Sequence, residues 1–191
     1  MRSPVVELLA DLVLALDGAR VPWFLFGAQA AILHGAARLT ADVDVTVRLP
    51  DGMSNQALAE ALERCRFQRR VVDPTFIERT RIIPVVHLPT KLPLDVVLAG
   101  PGLEDVFFQR VQTREIDGVP VRLASPEDIV IMKVLAGRPK DLEDVIAILT
   151  AHGDDLDQRH IEATLSTLED ALSQNDLLPA FRQTVATSRR H

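Results

Sequence analysis

The sequence is poor in cysteine, in aromatic residues and in long apolar runs, and each shortage excludes a class of protein. Cys65 is the only cysteine among 191 residues, so neither an intrachain disulfide nor a cysteine-based zinc cluster can form. Aromatic residues make up 4% of the chain and tyrosine is absent, which argues against a platform that stacks nucleic-acid bases. The apolar stretch 24–37 is interrupted by Gln29 and His34 and is too short to cross a bilayer.

The balance of charged and apolar residues is typical of a soluble globular protein. Hydrophobic residues contribute 47% and charged residues 25%, which is enough for a sizeable core. The formal net charge of -6 argues against a protein that coats duplex nucleic acid. Glu7 and Asp11 interrupt the apolar amino-terminal segment, where an export signal needs an unbroken apolar run. We therefore expect a cytoplasmic protein that makes no contact with a membrane.

The periodicity of apolar residues predicts an α+β fold. Strands are expected at 23–26, 42–47 and 94–98, and helices at 5–18, 28–34 and 55–65. Residues 67–72 and 79–87 are expected to be extended, and Asp117-Gly118 predicts a hairpin turn. After Ser125 the pattern is helical, with helices expected at 125–137, 139–153, 157–172 and 176–187. We predict a mixed β-sheet flanked by helices in residues 1–124, and a helical region, residues 125–191, packed on that core.

The alternating pattern from Asp42 to Val47 places two carboxylates on one face of a strand. Residues two apart point to the same side, so Asp42 and Asp44 stand side by side while the valines between them face the core. A divalent cation relieves the repulsion between such like charges, and carboxylate oxygens suit Mg²⁺. Taken alone, the same pattern also fits a solvent-facing edge strand.

Other polar residues can complete a site around this pair. Asp95, inside the apolar strand 94–98, supplies a third carboxylate if that strand lies beside the first. Three carboxylates can hold two metal ions for an in-line displacement at phosphorus, with Asp95 bridging to the attacking hydroxyl or taking its proton. Gly27, at a strand-to-helix turn, offers backbone N–H groups to phosphates. Arg38 and Thr40 add a guanidinium and a hydroxyl, although both equally suit a structural role in the loop before the strand.

Together these residues resemble the signature of the DNA polymerase β-type nucleotidyltransferase superfamily. The stretch from Phe26-Gly27-Ala28 to Asp42-Val43-Asp44-Val45 is similar to its glycine turn followed by a strand with two acidic residues one apart. Asp95 matches the third carboxylate, on a later strand. Lys133 and the segment Arg138-Pro139-Lys140-Asp141-Leu142-Glu143-Asp144 resemble elements of the AbiEii-like toxin and minimal nucleotidyltransferase branch. The resemblance covers about residues 22–146.

The resemblance implies a fold, a reaction and a set of roles. The fold would be nucleotidyltransferase-like, and the reaction would transfer a nucleoside monophosphate from an NTP to a hydroxyl with release of pyrophosphate. Two Mg²⁺ or Mn²⁺ ions would be held by Asp42, Asp44 and Asp95. The nucleotide would be bound by Gly27, Ala28, Arg38, Thr40, Lys133 and Asp141. The toxin-like branch implies RNA, for example a tRNA end, or a protein as acceptor and an antitoxin as partner, whereas small-molecule acceptors also occur on this fold.

Several features keep other interpretations open. The superfamily has Gly or Ser where this chain has Ala28, so a side-chain hydroxyl for the phosphates is missing although the backbone N–H remains. The chain therefore also fits a catalytically weak nucleotide-binding module that acts through a protein partner, or a metal-dependent phosphohydrolase built on the same aspartates. Lys133 also fits a side chain that extends from an apolar helix to solvent. The arginines at 64, 66, 69 and 70 fit either a solvated face or a basic patch for an RNA acceptor.

Overall fold

A computed structural model describes residues 3–190, apart from the side chain of Pro74. These residues form two compact units. The first contains the described residues up to Gln29 together with Thr40–Ala124, and the second contains Ala30–Leu39 together with the described residues from Ser125 onward. No helix in the described part of the chain is long and apolar enough to span a bilayer.

Strands and helices alternate along the first unit, whereas the second consists mainly of helices. The strands are β1 (Trp23–Phe26), β2 (Val43–Val47), β3 (Phe67–Arg69), β4 (Ile82–His87), β5 (Pro93–Leu98), β6 (Gln112–Ile116) and β7 (Val119–Leu123). The helices are α1 (Pro4–Gly18), α2 (Gly27–Leu33), α3 (Asn55–Arg64), α4 (Pro74–Thr80), α5 (Leu103–Arg110), α6 (Pro126–Ala136), α7 (Pro139–His152), α8 (Gln158–Leu172) and α9 (Leu177–Ser188). A short 3₁₀ turn, Gly153–Asp155, follows α7.

Among residues 3–190, seven strands form one mixed sheet in the order β3-β4-β5-β2-β1-β7-β6. The pairs β1–β7 and β2–β5 are parallel, and the other neighbours are antiparallel. The central strands carry the core, since Leu25, Val45 and Val96 are fully buried. Helix α1 packs against β7 and α3, and α3 packs against β3. The predicted α+β fold with a mixed sheet and flanking helices is confirmed.

The hairpin between β6 and β7 follows from its two turn residues. Asp117 and Gly118 have φ angles of 47° and 77°. A two-residue turn of type I′ needs positive φ at both central positions, which Asp-Gly accepts at low cost. The hairpin predicted from this dipeptide is confirmed, with β6 and β7 paired antiparallel.

Local capping signals set the helices of the second unit. The Ser125 hydroxyl accepts a hydrogen bond from the Asp128 backbone N–H at 3.2 Å, and Pro126 occupies the first turn of α6. Gly137 ends α6 in the left-handed conformation, with φ at 64°. Helix α6 contacts α7, α8 and α9. The four helices expected after Ser125 are confirmed, with ends close to those predicted.

Two stretches differ from the expected pattern. Residues 79 and 80 end helix α4 instead of being extended, and β3 stops at Arg69 instead of continuing to residue 72. The sequence pattern also did not predict α4 and α5. Each buries a single described side chain, Ile77 in α4 and Phe107 in α5, so neither shows helical periodicity. Side-chain caps from Asp73 and Asp105 start these helices instead.

Candidate active site

Asp44 and Asp95 lie directly opposite each other on neighbouring strands. Strands β2 and β5 pair in parallel with Asp44 in register with Asp95. Opposite residues of paired strands project to the same face, so the two carboxylates lie on the same side of the sheet. Both residues are half-buried, whereas Val43 and Val45 of the alternating pattern are buried. The face of the sheet that carries these carboxylates is therefore the candidate active site.

Asp42 lies one residue before β2, in an exposed position. Its backbone N–H donates to the Thr40 hydroxyl at 3.2 Å. The side-chain amide of Gln29, which is buried, donates to the Thr40 carbonyl at 3.2 Å. These two bonds fix the loop before β2, so Thr40 has a structural contact here. Its hydroxyl positions the backbone at Asp42.

Gly27 connects β1 to α2 beside Asp44. Its φ of 70° lies in the left-handed region, which costs a residue with a Cβ about 1–2 kcal/mol. A Cβ at this position would lie 3.0 Å from Asp44 Cγ and closer still to Oδ2. Glycine is therefore required both by the backbone and by the carboxylate packed against it. Ala28, at the next position, is half-buried.

Arg70 adds a cation that sequence reasoning did not assign to the site. Its Nη2 donates to Asp95 Oδ1, and both side chains are 40% exposed. Arg70 therefore pairs with one of the three predicted carboxylates, Asp95, while Asp44 and Asp42 lie on or next to the neighbouring strand. Among these four residues the negative charges outnumber the positive one, which favours the approach of cations.

Most of the four arginines at 64, 66, 69 and 70 are paired with carboxylates. Three of them form separate ion pairs, namely Arg66 with Asp11 at 2.7 Å, Arg69 with Glu63 at 2.8 Å, and Arg70 with Asp95. A carboxylate beside a guanidinium cancels most of its charge toward a polyanion. The basic patch for an RNA acceptor is therefore weaker than the sequence suggested.

Elsewhere in the first unit, the imidazole of His87 is within hydrogen-bond distance of both a hydroxyl and a carboxylate. His87 Nδ1 is 2.8 Å from the Thr90 hydroxyl, and its Nε2 is 2.7 Å from Asp11 Oδ2. The His87 side chain is 0% exposed, so the imidazole is not accessible to a substrate from solvent. Burial raises the pKa of Asp11, but hydrogen bonds from Arg66 and His87 outweigh it and hold that pKa below its ordinary value.

In the second unit, Lys133 and Asp141 belong to one ion-pair network. Lys133 Nζ lies 2.6 Å from Asp144 Oδ2 and 3.3 Å from Asp141 Oδ1. Arg38 Nη1 lies 2.7 Å from Asp144, and Arg138 pairs with Asp141. Three cations therefore surround two carboxylates, and these five residues together carry a net positive charge.

Burial determines how these charges behave. Lys133 is 5% exposed, so the alternative in which its side chain extends to solvent is wrong. A buried ammonium needs paired carboxylates to offset its desolvation, and α7 supplies both. Burial raises the pKa of Asp141, but the hydrogen bond from Arg138 and the charge of Lys133 outweigh that effect and lower it.

The carboxylates of the first unit have the donor chemistry of a Mg²⁺ site, since all are hard oxygen ligands. In their present arrangement, no three acidic, histidine or cysteine side chains among residues 3–190 are close enough to hold a metal ion. Asp95 is engaged by Arg70, and Asp42 lies ahead of the strand. The donor chemistry of Asp42, Asp44 and Asp95 fits a divalent cation, which would have to draw the three carboxylates closer together than they now stand.

A cavity of about 460 Å³ occupies another part of the first unit. It is lined by Asp17, Arg20, Val21, Pro22, Trp23, Phe108, Val111 and Arg122. Trp23 begins β1, whereas Gly27 follows its last residue. The cavity therefore lies at the opposite end of this strand from the paired carboxylates and is not part of the candidate site.

The predicted site residues fall into two groups. Those in the first unit are Gly27, Ala28, Thr40, Asp42, Asp44 and Asp95, and those in the second are Arg38, Lys133 and Asp141. In the first group, Asp44 and Asp95 are paired across β2 and β5, and Gly27 packs against Asp44. The second group forms the buried ion-pair network.

Three solved structures share this fold. A solution structure of the antibiotic-resistance factor ANT(2'')-Ia aligns with a TM-score of 0.59 and 17% identity, over 90% of this chain and 97% of that one. A crystal structure of the same factor with adenylyl-2''-tobramycin gives 0.57 and 18%, over 95% and 98%. A crystal structure of an antigenic nucleotidyltransferase-like protein from Paracoccidioides brasiliensis gives 0.57 and 20%, over 94% of each chain. At these identities the likeness shows the fold alone.

A family model gives the more specific result. No protein of curated function matches the sequence. The model of a family described as a nucleotidyltransferase of unknown function (DUF6036) matches residues 6–189. The nucleotidyltransferase expectation is thereby confirmed, while assignment to the AbiEii-like branch stays a prediction. The chain belongs to the DUF6036 family of nucleotidyltransferases.

Proposed function

We propose that this protein is a metal-dependent nucleotidyltransferase that moves a nucleoside monophosphate from an NTP to a hydroxyl acceptor. The register of β2 and β5 carries the proposal, since it sets Asp44 opposite Asp95 with Gly27 packed against Asp44. Paired carboxylates on the same face of a sheet repel each other unless a cation lies between them. Two such carboxylates at half-buried positions are expected of a site that binds a dication.

Asp42, Asp44 and Asp95 are the proposed ligands of two Mg²⁺ or Mn²⁺ ions. When bound, such ions neutralise phosphate charge and lower the pKa of the attacking hydroxyl. Asp42 is exposed and two residues from Asp44, so it can turn toward the same face. Asp95 must first leave its ion pair with Arg70.

The proposed reaction is an in-line displacement at the α-phosphorus of the NTP. The acceptor oxygen forms a bond to that phosphorus, the bond to the bridging oxygen of the β-phosphate breaks, and pyrophosphate leaves with the electron pair. Asp95 takes the proton of the acceptor hydroxyl. The products are the nucleotidylated acceptor and pyrophosphate, so no further co-reactant is needed.

Backbone and side-chain donors are proposed to bind the nucleotide. In the first unit these are the N–H groups of the Gly27–Ala28 turn and the Thr40 hydroxyl. The second unit has its own proposed phosphate-binding residues, Arg38 and Lys133, with Asp141 holding Lys133 in place. The excess of cations over carboxylates in that network supports affinity for a polyanion such as a triphosphate.

The nature of the acceptor is the least constrained part of the proposal. A structural neighbour, ANT(2'')-Ia, was crystallised with adenylyl-2''-tobramycin, which supports ATP as the nucleotide and a small-molecule hydroxyl as one acceptor. The toxin-like sequence elements favour RNA, including tRNA, or a protein hydroxyl, with an antitoxin as partner. The ion-paired arginines at 66, 69 and 70 favour the smaller acceptors over RNA.

The test is transfer of label from α-³²P-NTPs, one nucleotide at a time, in the presence of Mg²⁺ or Mn²⁺. Acceptors are total tRNA, cell-extract protein and a set of aminoglycosides. The Asp42→Asn/Asp44→Asn variant serves as the inactive control, and Asp51→Asn, an exposed acidic residue in a turn, controls for the loss of an acidic charge.

We expect label on one acceptor class with wild type and Asp51→Asn, and none with the double variant. Nucleotide binding without transfer to any acceptor would instead support the binding module that Ala28 suggests. Release of orthophosphate or nucleoside monophosphate without a labelled acceptor would support the phosphohydrolase.

A further inference from the structure

Arg70 reaches Asp95 across an intervening strand. In the β3–β4 pair, Arg69 lies opposite Val85. The next residue, Arg70, continues this register beside Pro84, and its N–H donates to the Pro84 carbonyl at 2.8 Å. Pro84 in turn lies opposite Asp95 in the β4–β5 pair. Arg70, Pro84, Asp95 and Asp44 therefore form one row across four neighbouring chain segments.

The residue between Arg70 and Asp95 makes this contact possible. Neighbouring strands are about 4.8 Å apart, so the guanidinium must cross roughly twice that distance to reach β5. A long side chain on β4 would block the path. Pro84 presents a short ring at that position, and it leaves room for the arginine stem. The ion pair thus depends on the register that puts Arg70, Pro84 and Asp95 in one row.

The pair has the properties of a contact that opens readily. Both side chains are 40% exposed, and ion pairs at that exposure contribute little to stability. Asp95 is nonetheless the carboxylate that the proposed function needs as a metal ligand. An oxygen that accepts a hydrogen bond from a guanidinium is a poorer ligand, and the cation beside it repels a dication.

We propose that Arg70 competes with the divalent cation for Asp95, so that the Arg70–Asp95 pair must open before the cation site is complete. This inference rests on the proposed function, because it requires Asp95 to be a ligand. Arg70 is then a positioning residue that acts through Asp95. Replacement of Arg70 should therefore strengthen cation binding. If the ion pair were purely structural, its loss would leave cation binding unchanged or weaken it.

The experiment measures Mn²⁺ binding by electron paramagnetic resonance of the free ion, first alone and then with a non-hydrolysable ATP analogue. The proteins are wild type, Arg70→Gln, Arg70→Lys, and Arg69→Gln as matched control. Arg69 is the adjacent arginine and pairs with Glu63, away from Asp95. Asp95→Asn is measured in the wild-type and Arg70→Gln backgrounds.

We expect Arg70→Gln to bind Mn²⁺ about fivefold more tightly, near the upper limit for an exposed ion pair. Arg70→Lys, which keeps the charge on a shorter side chain, should give a smaller gain, and it carries the test if Arg70→Gln does not fold. Arg69→Gln should equal wild type, and Asp95→Asn should abolish the gain.

Two outcomes would overturn the inference, and they differ. If wild type binds Mn²⁺ and Asp95→Asn loses that binding, but Arg70→Gln binds no more tightly, Arg70 does not compete and the proposed metal site stands. If neither wild type nor Arg70→Gln binds Mn²⁺, with or without nucleotide, the metal site itself is wrong and the inference fails with it.

Discussion

Replacing Gly27 by alanine tests the packing of the turn against Asp44. The backbone there has a φ of 70°, so alanine costs about 1 kcal/mol from the left-handed conformation alone. The new Cβ would also stand 3.0 Å from Asp44 Cγ and nearer to Oδ2. Moving that carboxylate off its preferred rotamer adds about 1 kcal/mol. We expect a loss of about 2 kcal/mol in the free energy of unfolding.

Gly52→Ala is the matched control, since Gly52 has a φ of 78° and a Cβ added there would meet no atom within 4 Å. It should lose about 1 kcal/mol, the backbone contribution alone. Urea unfolding compares the two variants. In an Asp44→Ala background, Gly27→Ala should cost less than in wild type but more than Gly52→Ala, because the carboxylate is absent while the Cβ at position 44 remains 3.1 Å from the added Cβ.

The same substitution should damage function more than stability. A displacement of about 1 Å at a reacting group can cost on the order of 100-fold in rate. We therefore expect Gly27→Ala to reduce nucleotidyl transfer by roughly that factor while Gly52→Ala retains it. The reasoning is refuted if Gly27→Ala is no less stable than Gly52→Ala and transfers label at the wild-type rate.

Three further predictions concern the second unit. Lys133→Met should lower the free energy of unfolding by about 3 kcal/mol, because Asp141 and Asp144 lose their shared buried partner and each keeps only one arginine. A loss below about 1 kcal/mol in urea unfolding would contradict this. The pKa of Asp141 is lowered in the folded protein, so its ionised carboxylate stabilises the fold at pH values above the unfolded-state pKa of 3.8. This stabilisation is lost as the pH falls through the folded-state pKa. Asp141→Asn should therefore flatten the decline in the free energy of unfolding below about pH 4. Ser125→Ala should lower the free energy of unfolding by about 1 kcal/mol, because the Asp128 N–H loses its cap. The same urea midpoint for wild type and Ser125→Ala would contradict this.

Much of the fold was predictable because its signals are local. The Asp117-Gly118 turn, the Ser125 cap and the alternation of β2 each depend on chemistry within a few residues. Helices α4 and α5 escaped prediction because the signal used, apolar periodicity, is nearly absent from them. Their caps, at Asp73 and Asp105, were the available signal.

The candidate site was predictable only as a set of residues. The sequence places Asp44 and Asp95 on strands, but their pairing depends on β5 joining the sheet beside β2, far away along the chain. Register is set by packing over the whole sheet and not by either strand alone. The prediction could therefore say only that the third carboxylate would complete the site if the strands were neighbours.

The partners of Arg70 and Lys133 escaped prediction for one physical reason. A charge takes its role from its nearest opposite charge, and that partner lies on another element in both cases. Lys133 is paired with residues 8 and 11 positions later, which are on α7. Arg70 is paired 25 positions away, across Pro84. The sequence alone identifies neither partner, whereas the pairing places Lys133 among buried carboxylates and makes Arg70 a competitor for a proposed metal ligand.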